Sequence, residues 1–417
     1  MTILIAGGGI AGLTLGLTLH QIGVPFHICE ATAEIKPMGV GINLQPNAVR
    51  ELLDLGLSDE LDAIGVKTRQ YGFYSKLGKT IWEEPRGTWA GYAWPQYSVH
   101  RGQLQMMLYR VLLDRAGPNC ITTGARATGF ENTETGATLL LADGRRLSGD
   151  LVIAADGIHS ALRAQIAPDE DAPIWNGRIL WRATTRAQAF LGGAAMVMIG
   201  HDQVRLVAYP ISEPDGDGVV TLNWIAEKSF DPSSPWKKED WNRAADINDF
   251  LPDFTEWRFD WIDVPVLIKD AEVVYEYPMV DRDPLEQWTF GNVTLMGDAA
   301  HPTYPVGSNG AGQAILDARI IGARLLDHGV TAAALQAFED EVRPIATNVG
   351  RANRSGNGPD AVLQQVEDLC GGDFEDINSV IPVTELAAHA EKYKSLAGFS
   401  VNTLNAKPSI IDMGAKV

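Results

Sequence analysis

The most constraining stretch of the chain is its beginning. Residues 2–6, TILIA, form a short apolar run that ends on Gly7-Gly8-Gly9-Ile10-Ala11-Gly12, and Leu13, Leu17 and Leu19 follow with helical spacing. A short apolar run that stops at glycine reads as a buried strand, and the segment after it as a helix packed on that strand. A second strand, PFHICE at 25–30, closes on an acid, Glu30. The glycines differ in what they do. Gly7 makes the tight turn, Gly9 lets a pyrophosphate approach the backbone, and Gly12 lets helix and strand pack closely. The helix N-terminus offers unpaired N–H groups and a partial positive charge to phosphates, while a carboxylate at Glu30 accepts hydrogen bonds from ribose hydroxyls. This arrangement binds a dinucleotide, and by itself it does not separate FAD from NAD.

Composition narrows the partners. The 417 residues allow two or three domains, and 45% hydrophobic with 21% charged residues is an ordinary globular mixture. A net charge of −19 repels polyanions, so neither nucleic acid nor an acidic membrane surface is expected as a partner. Cys29, Cys120 and Cys370 are odd in number and far apart, which suits a reducing compartment and lacks zinc-site spacing. The eight histidines are dispersed, so no metal site is expected. No apolar run approaches membrane-spanning length and no leader pattern opens the chain, so the expected location is the cytoplasm.

Further along, the pattern alternates between two kinds of structure. Helical spacing at 45–56 and 102–116 brackets two short strands at 71–84, which turn at Leu77-Gly78-Lys79. Strands near 125–142, with an Asp143-Gly144 turn, lead to a buried strand at 150–156. Residues 172–277 read mainly as antiparallel strands, a strand at 292–297 follows, and helices are expected from Gly310, over 331–354, near 360–369 and over 384–396. The fold class is α/β, with a discontinuous Rossmann-like domain made of residues 1–70, 97–171 and 278–354. A mainly antiparallel sheet domain, 71–96 with 172–277, is interleaved with it, and 355–417 form C-terminal helices and a tail whose role the sequence leaves open.

Two further motifs carry chemistry. Leu151-Val152-Ile153-Ala154-Ala155-Asp156-Gly157 precedes His159, Ser160 and Arg163; an Asp in that position is as often a plain helix cap as a ligand. Gly297-Asp298-Ala299-Ala300-His301 is followed by Pro305, Val306 and Gly307-Ser308-Asn309-Gly310-Ala311-Gly312. It places an acid at a strand end and small residues before a long helix, which leaves room for a flat ring against N–H groups.

In order and spacing the three motifs resemble those of the FAD-dependent aromatic hydroxylases, the group-A flavoprotein monooxygenases typified by p-hydroxybenzoate hydroxylase, and the likeness spans residues 1 to about 354. Segments such as GVGINLQPNAV, EPRG, PQYSVHRGQLQMML and GDAAHPTYPVGSNGA resemble the branch of that family that hydroxylates 5-methylphenazine-1-carboxylate. The resemblance implies that Gly7, Gly9, Ile10, Ala11, Gly12 and Glu30 hold the ADP half of FAD, and that Arg101 reaches the pyrophosphate or ribityl region with Gln105 one turn later. It implies further that Asp298 bonds the ribityl chain, and that Ser308, Asn309, Gly310, Ala311 and Gly312 lie by the pyrimidine edge. Asp156, Gly157 and Arg163 match a motif linked to both FAD and NAD(P)H. One departure is Gly307-Ser308-Asn309 where many members read Gly-Gln-Gly. Because only one glycine fingerprint is present, NADPH or NADH is expected to bind transiently. The implied reaction is reduction of FAD, addition of O₂ to give a C4a-hydroperoxyflavin, and hydroxylation of a small aromatic or N-heteroaromatic ring.

For the substrate, the family topology implies a pocket lined by Leu44, Trp181, Val207, Tyr209, Asn223, Pro305 and Val306. Tyr209, ending a strand before Pro210, is the candidate for a hydrogen bond to substrate and the sole catalytic candidate, with simple core packing as the alternative. Arg182 or Arg205 is the candidate anchor for a substrate carboxylate, whereas His301 reads as a support of its loop. Rival readings are an epoxidase or other flavin oxidoreductase on the same fold, or a non-catalytic binding protein; retention of Asp298 and the Gly310 loop argues against the last. Oligomeric state and the choice between NADH and NADPH stay open.

Overall fold

A computed structural model describes residues 1–231, 244–355, 358–396, 398–412 and 414–417. Residues 232–243, within the expected sheet domain, lie outside the described residues. The opening strand Ile3–Ala6 sits inside a six-stranded sheet, between parallel neighbours Leu151–Ala154 and Phe26–Cys29. Val293–Leu295 and Ile121–Thr122 extend the parallel part, and Thr289–Phe290 adds one antiparallel edge. Ile3, Ile5 and Ala6 are 0% exposed, as a parallel strand buried on both faces demands. The helix Ile10–Ile22 packs between Arg101–Ala116 and the long helix Gly310–His328.

The second sheet has seven strands in the order Tyr275–Asp281, Ile174–Gln188, Val219–Ser229, Val204–Pro210, Ala195–Gly200, Gln70–Tyr74, Thr80–Pro85. All its pairs are antiparallel except Ala195–Gly200 with Gln70–Tyr74. Side chains alternate across the pleat. Leu206 and Ala208 enter one core with Trp224, Phe250 and Phe254, and Val207 and Tyr209 enter another with Tyr71, Phe73 and Met196. That alternation corrects one expectation: Trp181, assigned to the substrate pocket, stands on the far face. Its indole stacks on Phe250 with ring centroids 4.5 Å apart and donates through Nε1 to Glu276 at 3.1 Å.

The C-terminal segment covers the second sheet. Val362, Leu363 and Val366 of the helix Ala361–Cys370, with Leu386 of Val383–Leu396, close the core that holds Tyr71 and Phe73. Lys79 Nζ donates to the Phe374 carbonyl at 2.8 Å, and the Tyr92 hydroxyl to the Phe399 carbonyl at 2.7 Å. No helix of the described residues is long and apolar enough to cross a membrane.

A buried ion group joins the helices beneath the first sheet. Glu51 is 0% exposed, and its carboxylate accepts from Arg50 Nε at 2.8 Å and from Arg319 Nε at 3.2 Å. Arg319, also 0% exposed, reaches on to Gln21 Oε1 at 2.5 Å and so ties the long helix to the opening one. Removing the carboxylate strands two enclosed cations, which costs about 3–5 kcal/mol. We therefore expect Glu51→Ala to lower the urea midpoint of the protein by an amount equivalent to that range; an unchanged midpoint would show that the ion group is dispensable.

Candidate active site

The glycine turn is built by close approach. Gly7 has φ +108°, its N–H donates to the Cys29 carbonyl at 2.8 Å, and a Cβ there would lie 2.4 Å from the Ala155 carbonyl oxygen. A Cβ on Gly12 would lie 2.0 Å from the carbonyl oxygen of Gly7, so strand and helix tolerate only glycine. Gly9 is different: nothing stands within 4 Å of its missing side chain, and as N-cap it supplies no side-chain cap to the helix. The turn therefore presents an open cradle of backbone N–H groups at Gly9, Ile10, Ala11 and Gly12. Glu30 closes one wall, with one carboxylate oxygen accepting from the Gly8 N–H at 2.6 Å and the other from the Thr32 N–H at 2.7 Å. Gln105 Nε2 donates to the Gly8 carbonyl at 2.9 Å, bringing its helix to the turn. Arg101 begins that helix with its side chain exposed, behind an N-cap made by His100 Nδ1, which accepts from the Gly102 N–H at 3.1 Å. Burial holds the His100 imidazole below its ordinary pKa, which suits an accepting Nδ1.

Asp298 ends the approach from Val293–Leu295 and is exposed within the cleft. The surrounding protein pushes its carboxyl above the usual range, against the opposing charges of His301 and Arg101. The loop hangs on Asp317, a fully buried residue of the long helix. Asp317 accepts from the Gly297 N–H at 2.8 Å, from Gln313 Nε2 at 3.0 Å, and pairs with His301 Nε2 at 2.6 Å. His301 thus supports the loop, and Asp317, visible only as the last letter of QAILD, is the residue the motif reading missed.

Asp156 Oδ2 accepts from the Ala161 N–H at 3.0 Å, while Oδ1 is buried without a partner; Gly157, φ +80°, faces open space. Arg163 requires a correction. It is 1% exposed, and its five N–H donors go to Glu170 through Nε at 2.8 Å and Nη2 at 2.5 Å, to the Ala299 and Ala300 carbonyls at 3.0 and 2.8 Å, and to the Asp283 carbonyl at 2.9 Å. With every donor taken it holds the Asp298 loop and has none left for a nucleotide.

At the other end of the cleft, Gly307 and Ser308 both have positive φ, +73° and +57°. For serine this is a strained conformation, of the kind that clusters at ligand sites. Gly310 opens the long helix with empty space beside it, and Asn309, its N-cap, makes no side-chain cap bond. The sites at Gly9, Gly157 and Gly310, the exposed Asp298 and the orphaned Asp156 Oδ1 fit a long ligand with phosphates at one end and a flat ring at the other. Among the described residues no group of His, Cys, Asp or Glu is set to hold a metal.

Beside Gly307 and Ser308 lies a recess walled by Gln45, Gln96, Tyr71 and Phe73 of one strand, Trp82 and Glu84 of the next with Arg86 just after it, and the helix that carries Lys394. None of the expected lining residues forms its walls. Leu44 is fully buried in the core of the first sheet. Arg205 is 3% exposed and spent on protein carboxylates: Asp202 at 2.8 Å, Glu227 at 3.4 Å and Asp360. Both assignments are corrected on that ground. Arg182, Tyr209 and Asn223 instead meet at Gly41, where Arg182 Nη2 donates to the carbonyl at 3.0 Å and Asn223 Oδ1 accepts from the N–H at 2.6 Å. Burial pushes the Tyr209 phenol up to about 12, against the pull of Arg182, which is bonded to it. Val207 lies in the core that also holds Tyr71 and Met196, two residues of the recess. Pro305 is exposed, and Val306 packs toward Gly358. Of the residues the sequence reading missed, Arg86 lay in EPRG, a segment already matched to the family; Lys394 carried no signal.

Comparison with known proteins agrees with this geometry. The family model described as FAD binding domain matches residues 1–353. Phenazine 1,6-dicarboxylic acid hydroxylase PhzS of Lysobacter antibioticus is 42% identical over 363 residues, covering 84% of this chain and 89% of that protein. Aurachin C monooxygenase/isomerase of Stigmatella aurantiaca is 31% identical over 356 residues, covering 85% and 86%. The solved structure of Klebsiella pneumoniae HpxO complexed with FAD and uric acid shares the fold, with a TM-score of 0.75 at 23% identity over 95% of this chain and 97% of that one. With the glycine turn, the Asp298 loop and the ring-sized opening in one cleft, and with relatives of this kind along most of its length, the chain belongs to the FAD-dependent group-A flavoprotein hydroxylases.

Proposed function

We propose that this hydroxylase takes electrons from NADPH or NADH and acts on a planar N-heteroaromatic ring seated in the recess beside Gly307 and Ser308. The observation that carries the reading is the position of that recess: Gly307 and Ser308, the loop that leads into the helix Gly310–His328, form part of its wall. The name of the 42%-identical relative supports a tricyclic nitrogen heterocycle as the substrate class.

Bound FAD supplies the redox chemistry and the activation of O₂. The chain supplies placement. The open N–H groups at Gly9 to Gly12 take the pyrophosphate, Glu30 the ribose, and Asp298 the polyol, with Arg101 alongside. Asp156, Gly157 and Gln105 complete the walls. The N-terminus of Gly310–His328, where no side-chain cap bond is made, would offer its positive pole to a flavin ring held beside Ser308 to Gly312 and would stabilise negative charge there. The C-terminal helices cover the recess and keep water from it. This reading makes residues 1–70, 97–171 and 278–354 the FAD-binding domain and 71–96 with 172–277 the substrate domain, supported by their separate cores. The free cysteines favour a cytoplasmic setting.

In anaerobic stopped-flow absorbance, NADPH or NADH is expected to bleach the bound flavin much faster when phenazine-1-carboxylate or a related acid is present, with hydroxylated product forming once oxygen is admitted. Equal reduction rates across a wide aromatic panel and no product would overturn the reading. Gly9→Ala is expected to leave the thermal melt of the FAD-free protein nearly unchanged but to strip FAD, seen as a lost flavin absorbance band, because its methyl enters only the cradle. Gly12→Ala should lower the melt itself, since its methyl meets backbone.

The loop adds a pH dependence. Burial alone would lower the His301 pKa, but the carboxylates of Asp317 and Asp298 hold it above its ordinary 6.5. A raised histidine pKa means that the pairing stabilises fully below about pH 6.5 and that the contribution is lost as pH rises through the folded-state value. FAD retention measured by ultrafiltration should therefore weaken as pH rises above neutrality, and Asp317→Asn should weaken it throughout and flatten the profile; a wild-type profile independent of pH contradicts this.

A further inference from the structure

The recess holds more unsatisfied polar atoms than its fold requires. Gln45 Oε1, Gln96 Oε1, Arg86 Nε and Trp82 Nε1 are all buried, all belong to residues of its walls, and none has a hydrogen-bond partner. Gln45, Gln96 and Arg86 are 7%, 1% and 7% exposed, so bulk water does not compensate them. Buried polar groups left unpaired by the protein are costly, and four of them sit on side chains that wall one recess, where a ligand's polar atoms can supply partners.

The charges have a sign. Arg86 Nη2 pairs with Glu84 Oε1 at 2.7 Å, and Lys394 Nζ, from the covering helix, donates to Glu84 Oε2 at 2.8 Å. Among the charged residues that wall the recess, two cations thus share one carboxylate, in a molecule whose net charge is −19. The adjacent group of Arg205 and Arg178 with Asp202, Glu227 and Asp360 does not line the recess. The Arg86 guanidinium lies 4.9 Å over the ring of Tyr71, which fixes its plane and leaves the Nε–H edge free.

We propose that Arg86 is the specificity-determining residue of this site: it receives the carboxylate of a monoanionic heteroaromatic acid on its Nε edge, with Lys394 neutralising Glu84 so that the Arg86 charge is available. Trp82 Nε1–H donates to a second acceptor of the ligand, and the Gln45 and Gln96 amides, each able to present oxygen or nitrogen, meet a ring nitrogen or hydroxyl. This rests on the functional reading above, in which the recess is the substrate site.

The test compares two ligands of one shape, phenazine-1-carboxylate and its neutral carboxamide, titrated into the holoenzyme and followed by perturbation of the flavin spectrum. Wild type is expected to prefer the acid. Arg86→Gln should weaken the acid by about 10- to 100-fold while the carboxamide, which reports on the shape of the recess, changes about twofold at most. Lys394→Met, on the covering helix, should lower the same preference by a smaller factor without relying on the fold around Arg86. An acid-to-carboxamide ratio that stays at its wild-type value in either variant, or an equal weakening of both ligands, overturns the proposal and leaves the hydroxylase reading standing. If the wild-type holoenzyme binds neither ligand, the substrate class itself is wrong and both readings fall.

Discussion

A carbon atom that is absent governs the cofactor half of this molecule. The carbonyl oxygen of Gly7 approaches the α-carbon of Gly12 so closely that a Cβ there would stand 2.0 Å away, and Gly7 in turn is pressed against the end of the Leu151–Ala154 strand. From these approaches follows the angle at which the first helix leaves the sheet, and with it the direction of its free N–H groups. The position of Glu30 depends on the same turn, since its carboxylate is held by the N–H of Gly8. Asp298 arrives from the other flank of the sheet, on a loop suspended from Asp317 and clamped from behind by Arg163. Three segments far apart in the chain are therefore aligned on one cleft by contacts that leave no slack.

That part was legible because its residues act through the backbone. A glycine whose neighbours leave no space, or an acid at the end of a buried strand, has the same meaning wherever the pattern occurs, so Gly7, Gly12, Glu30 and Asp298 were readable without knowing what packs on them. The second sheet was readable as strands but not as faces. Trp181 and Arg182 are neighbours in sequence, yet one stacks on Phe250 and the other reaches Gly41, because a pleat sends them to opposite sides. Which side becomes a pocket depends on what covers it, and the cover consists of helices whose sequence carries no motif.

The arginines show the same limit. Arg163 has every donor taken by a carboxylate or carbonyl, Arg205 and Arg319 are held by carboxylates with one nitrogen each left over, and Arg86 keeps its Nε unpaired at the wall of the recess. Nothing in the immediate sequence of an arginine says whether its partners have been supplied by the rest of the chain; that becomes visible only in three dimensions.

The bond from Lys394 to Glu84 spans 310 residues, and the opening strand finds one flanking neighbour only at Leu151–Ala154, with Val293–Leu295 beyond it. Contacts of such long separation form late, after the loops between them have closed. On the ribosome, then, the nucleotide cleft takes shape before the chamber beside it has a roof, and the roof cannot be laid until the residues around Phe399 have emerged. A chain cut short after the long helices would keep the cleft but present an uncovered ring face to water. The C-terminal segment, readable as helices but not as to what they cover, thus supplies the roof of the chamber.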